Sequence, residues 1–103
     1  MPEDAKGISL PRLARLAPTL ESTALKLMEE AGELGAAIGK YRGLSGEQVA
    51  EDQADILRRI GQELLDVAQT AVTMMFVLEE HYQVDIARLL SEHVAKLYRK
   101  GYM

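Results

Sequence analysis

The sequence predicts an all-α fold, a four-helix-type bundle built from a short N-terminal helix and three main helices. Three observations carry this. Apolar residues recur at spacings of three and four along most of the 103 residues, the pattern of helices with one buried face. No run alternates apolar and polar residues as a half-buried strand would, and no Asn-Gly or Asp-Gly hairpin turn occurs. Prolines, glycines and capping residues then punctuate the chain at intervals suited to helices.

Residues 1–8 read as a frayed tail, and residues 9–103 as a single helical domain. Ser9 can cap a short helix carrying Leu10, Leu13 and Leu16, with Pro11 tolerated in its first turn and Pro18 ending it. Thr19 begins a second helix running to Tyr41 or Arg42, with an apolar stripe of Leu20, Ala24, Leu27, Ala31, Leu34, Ile38 and Tyr41. Gly43-Leu44-Ser45-Gly46 breaks the pattern, and Ser45 with Gln48 forms a capping box that starts a third helix near residue 47. That helix is expected to reach His81 or Tyr82, with room for a bend between Asp52 and Gly61. Asp85 caps a fourth helix through Ile86, Leu89, Leu90, Val94, Leu97 and Tyr98, and Gly101 terminates it.

On a helical wheel, Ile56, Ile60, Leu64, Val67, Ala68, Ala71, Met75 and Leu78 cover more than half the circumference of the third helix. One neighbouring helix cannot cover so wide an arc. The chain is therefore expected to form a homo-oligomer.

Composition narrows the function classes. An apolar fraction of 48% and a charged fraction of 27% are those of an ordinary globule. A net charge of −4 is unsuited to neutralising nucleic-acid phosphates, and the last helix is too mildly basic for a helix-turn-helix reader. With no cysteine, neither disulfides nor thiolate metal sites are available. The most apolar stretch, Val67 to Leu78, is interrupted by Gln69, Thr70 and Thr73 and falls short of the roughly 20 residues a bilayer span requires. The N-terminus shows no export signal, so a cytoplasmic protein without membrane or nucleic-acid partners is expected.

The chemistry lies in two acidic clusters, Glu29-Glu30-Ala31-Gly32-Glu33 and Glu63-Leu64-Leu65-Asp66. Glu30 and Glu33 stand three residues apart, on one helical face beside the apolar stripe. Glu63 and Asp66 repeat the spacing on the third helix, with Glu63 within about 20° of Ile56 and Met74 on the wheel. Both helices thus turn acid toward a shared seam. Converging carboxylates repel one another and lose hydration unless a cation compensates. Oxygen donors without cysteine or a suitably placed histidine favour Mg²⁺, or Mn²⁺, over zinc or copper. A di-iron bundle would use Glu-x-x-His pairs, but His81 and His93 are preceded at that spacing by Leu78 and Leu90.

Lys26-Leu27-Met28-Glu29-Glu30-Ala31-Gly32-Glu33-Leu34, followed by Glu63-Leu64-Leu65-Asp66-Val67, resembles the E-E-x-x-E and E-x-x-D signature of the MazG-like nucleotide pyrophosphohydrolases. The resemblance spans most of the chain. It implies an all-α oligomer that hydrolyses nucleoside triphosphates to monophosphate and pyrophosphate. It also implies metal ligation by Glu30, Glu33, Glu63 and Asp66, with Glu29 outside the ligand set. The interval between Glu33 and Glu63 is long for the family and there is no tryptophan to stack on a base, so the base preference stays open.

Within that reading Glu33 or Glu63 is the general base, and Lys26, Lys96 and Arg99 are candidates for phosphate contacts. Lys26 also has a plain role as an ion-pair partner of Glu30 one turn away, and Lys96 and Arg99 as complements to a helix C-terminus. The competing reading is a non-catalytic helical dimer that serves as an interaction or nucleotide-binding module.

Overall fold

Thr19 opens the first helix of the computed structural model, which describes residues 4–43 and 52–103. Its hydroxyl accepts from the Ser22 amide while the Ser22 hydroxyl accepts from the Thr19 amide, a reciprocal capping box that starts α1, Leu20–Tyr41. Asp52 caps α2, Gln53–Tyr82, by accepting from the Ala54 amide. Asp85 caps α3, Ile86–Arg99, by accepting from the Arg88 amide. Gln83 adopts a left-handed conformation (φ 53°) and Gly101 does the same (φ 76°), closing α2 and α3 respectively. No strand occurs among the described residues.

One expectation changes. Residues 9–17 form no helix, only a turn in which the Leu16 amide approaches the Leu13 carbonyl. Pro11 and Pro18 explain this: Pro18 pushes Ala17 out of the α region, leaving too few residues to offset the cost of helix nucleation. The segment instead runs as a strap along α2, where Pro11 and Arg12 meet residues 69 to 80. Among the described residues the four-helix arrangement therefore becomes three helices and a strap. As the sequence leads one to expect, α2 runs unbroken from its cap at Asp52 through Gly61 to Tyr82. The Ser45–Gln48 capping box and the start near 47 lie outside the described residues.

The buried positions of α1 are Thr23, Glu30 and Ala37, seven residues apart. On α2, Ile56, Thr70 and Val77 are buried and Glu63 is half-buried, again at sevens. Such a repeat keeps one seam along two helices packed at a shallow angle. Thr23 shares a cavity wall with Thr70, and Glu30 converges with Glu63; the rising numbers on one helix meet falling numbers on the other, so α1 and α2 are antiparallel. The apolar stripe read from α1 sits about 70° round from this seam. Leu27 and Leu34 are accordingly half-buried, and Ala31 and Ile38 exposed.

Among the described residues the buried apolar side chains are Ala37, Ile56 and Val77. Leu57, Leu64 and Met75 share one exposed face of α2, and α3 buries no residue, leaving Leu89 and Leu90 open. The radius of gyration, 16.8 Å, exceeds the roughly 13 Å of a compact 100-residue chain. Among the described residues no helix is long and apolar enough to cross a membrane.

Candidate metal centre

The seam places acid in its central layer. Glu30, only 7% exposed, occupies the middle buried position of α1. Glu33 lies about one turn further along the same face, and Glu63 reaches in from α2. One carboxylate oxygen from each of the three lies within 4.8 Å of the others. Oxygens bound to one Mg²⁺ at about 2.1 Å stand roughly 3–4 Å apart, so a small contraction suffices to place all three on one ion.

The electrostatics are those of crowded carboxylates. Glu63 Oε2 is buried without a hydrogen-bond partner, an arrangement proteins rarely leave standing unless something else satisfies the atom. Although Glu33 as a residue is exposed, its carboxyl is held above the ordinary glutamate range. The causes are lost hydration first, then the charges of Glu30 and Glu63, a hydrogen bond shared with Glu63, and Glu29. Lys26 Nζ sits 3.1 Å from Glu30 Oε1 and 3.7 Å from Glu29 Oε1. The hydrogen bond to Glu30, then the charge of Glu29, raises the Lys26 pKa and keeps the ammonium charged.

The other residues singled out in the sequence lie outside this trio. Asp66 is exposed and is not one of the three whose oxygens converge. Glu29 is exposed and turned to Lys26. Lys96 and Arg99 occupy the last turn of α3, both exposed.

A cavity of about 340 Å³ lies beside the trio, lined by Leu13, Leu16, Ala17 and Pro18 of the strap, Ser22, Thr23 and Lys26 of α1, and Gln69, Thr70 and Thr73 of α2. Thr23 lies seven residues before Glu30 and Thr70 seven after Glu63, about 10 Å along each helix. Lys26 belongs to both places, lining the cavity while reaching Glu30. Thr23 donates to the Thr19 and Leu20 carbonyls, and Gln69 donates to Pro11 and Thr73. Sequence reasoning missed this cavity. The signal was present in Gln69, Thr70 and Thr73, polar residues in the most apolar stretch of the chain.

Residues 18–101 match the family model of the MazG nucleotide pyrophosphohydrolase domain. The chain belongs to that family. The MazG match takes in all three helices and every carboxylate of the trio, and it makes the chain a member of a family of hydrolases acting on acid anhydrides. A search of curated proteins and a search of solved structures returned no match.

Proposed function

We propose that this MazG domain hydrolyses a nucleoside triphosphate to the monophosphate and pyrophosphate, using a divalent cation held by Glu30, Glu33 and Glu63, with Asp66 completing the set from the next turn of α2. The observation that carries this is the Glu63 carboxylate, which converges with two carboxylates of α1 and has one oxygen, Oε2, buried without a hydrogen-bond partner. An all-oxygen, all-anionic donor set fits Mg²⁺ or Mn²⁺. When bound, such an ion neutralises polyphosphate oxygens and acidifies water.

The chain's own residues supply the rest. Glu33, the member of the trio open to solvent, is placed to take the proton of the attacking water, while Glu30 and Glu63 are committed to the seam; Glu63 is the alternative base. Water adds at the α-phosphorus, the bond from that phosphorus to the α–β bridging oxygen breaks, and pyrophosphate leaves with the electron pair. With a cation held by Glu30, Lys26 would be free to contact a phosphate from the cavity wall it already forms. Lys96 and Arg99 are further phosphate contacts, and Glu29 orients Lys26 from outside the ligand set. The cavity, about 10 Å along the seam from the carboxylates, receives the nucleoside part, with Thr70 and Gln69 as its polar contacts and no aromatic ring to stack on the base.

A second copy of the chain covers the apolar faces of α2 and α3, because three buried apolar residues are too few for a stable single-chain core. A homodimer is the smallest assembly that does this, and a homotetramer extends it.

The test is pyrophosphate release from a panel of common and modified nucleoside triphosphates. Release is expected with Mg²⁺ or Mn²⁺ and to disappear with chelator. Cation binding without turnover of any member would favour a non-catalytic nucleotide-binding module.

A further inference from the structure

The strap is the one wall of the cavity that no helix holds rigid, yet it supplies Leu13, Leu16, Ala17 and Pro18. Its C-terminal end is fixed by the Thr19 capping box. Its N-terminal end is fixed by two polar attachments to α2. Gln69 Nε2 donates to the Pro11 carbonyl at 2.9 Å. The Arg12 guanidinium pairs with the Glu80 carboxylate and lies 4.6 Å over the Phe76 ring. Gln69 touches the cavity and Arg12 does not; Arg12 lines an adjoining cavity with Glu80 and His81.

We propose that Arg12, through Glu80 and Phe76, and Gln69, through Pro11, are positioning residues that pin the strap so that the nucleoside cavity is formed before substrate arrives. The inference rests on the nucleotide reading given above. A strap without helix or sheet hydrogen bonds samples many conformations once unpinned, and apparent affinity falls by the fraction of time the wall is in place. A half-exposed ion pair and a cation–π contact each contribute modestly. Losing both is expected to weaken nucleoside binding on the order of three- to tenfold.

The distinguishing experiment uses the whole chain, its Mg²⁺ complex, and the common ribo- and deoxyribonucleoside 5′-monophosphates as probes. Tryptic cleavage after Arg15, exposed within the strap, reports how often the strap is loose. In the wild type a monophosphate should slow that cleavage. In Arg12→Met cleavage should be several-fold faster and monophosphate affinity three- to tenfold lower; Glu80→Gln, which breaks the ion pair from α2 but keeps the contact with Phe76, should show smaller changes in the same directions. KM should rise with kcat unchanged, the Mg²⁺-induced melting shift should match the wild type, and Arg12→Lys should recover part of the loss. Wild-type cleavage rates and affinities in both variants would overturn the inference, as would a loss of Mg²⁺ binding equal to the loss of monophosphate binding. If no monophosphate protects the wild-type chain, the nucleotide reading fails and takes the affinity half of the inference with it, even where trypsin finds the strap loosened.

Discussion

Glu33→Gln should reduce pyrophosphate release by a factor on the order of 10²–10⁴, the range that a positioned general base contributes, while leaving the helices intact. Glu63→Gln should do at least as much, because it removes the carboxylate whose buried oxygen has no other partner. Stability should move the opposite way. In the metal-free chain three carboxylates repel one another across 4.8 Å or less, so converting one to an amide relieves the fold, a trade between activity and stability common at functional sites. Circular-dichroism melting in chelator should show both variants above the wild type. The pH dependence has the same origin. Glu33 holds its proton more tightly in the folded chain than in the unfolded one, so its stabilising contribution is complete below the unfolded value and is lost as pH rises through the raised folded value. Metal-free wild type should therefore gain from mild acid relative to neutral pH, and Glu33→Gln should lack that component. Equal melting of wild type and Glu33→Gln at neutral pH in chelator would show that the trio carries no mutual strain.

Leu57→Glu and Leu90→Glu should each dissociate the assembly. Both leucines are nearly half exposed in the single chain, at 49% and 46%, and lie on the faces assigned to a second copy. Burying the exposed half of one leucine contributes about 0.7–1.5 kcal/mol, and a two-fold interface counts every substitution twice. The loss is about 1.5–3 kcal/mol per dimer, a factor of roughly 10–10² in Kd, before the cost of an unpaired buried charge. Glutamate is a good helix former, so local propensity does not explain such a loss. Light scattering behind size exclusion should read at least twice 11.4 kDa for the wild type and show each variant as monomer or as unfolded chain. A wild-type chain that runs as an 11.4 kDa monomer and melts cooperatively would remove the second copy from the account.

The three main helices were legible because their caps and stripes are local: Thr19, Asp85 and Gly101 act within a few residues of themselves. Glu30, Glu33 and Glu63 were legible for the same reason, since spacing fixes which carboxylates share a face, whereas Asp66, read into the same seam, is exposed and outside the converging trio. The seam angle was harder to read. The stripe of α1 is an average over two partners, α2 and whatever covers the outer face, and only the contact with α2 decides that Thr23, Glu30 and Ala37 lie innermost. Leu10, Leu13 and Leu16 have helical spacing, but the two prolines around them outweigh it, and the strap that results is held by contacts 58 or more residues away in sequence. The cavity was out of reach for that reason, although Gln69, Thr70 and Thr73 marked its floor.

Mg²⁺ titration of thermal stability, in wild type and Glu63→Gln, bears most directly on whether the seam was built to hold a cation. Occupancy at a hundredfold excess over Kd contributes about 2.7 kcal/mol, a rise on the order of 10 °C for a domain of this size. The wild type should show that rise, with Mn²⁺ producing it as well, and Glu63→Gln should show little or none. Identical melting of both proteins with and without either ion would contradict the account, leaving Glu30, Glu33 and Glu63 as acids that happen to share a layer.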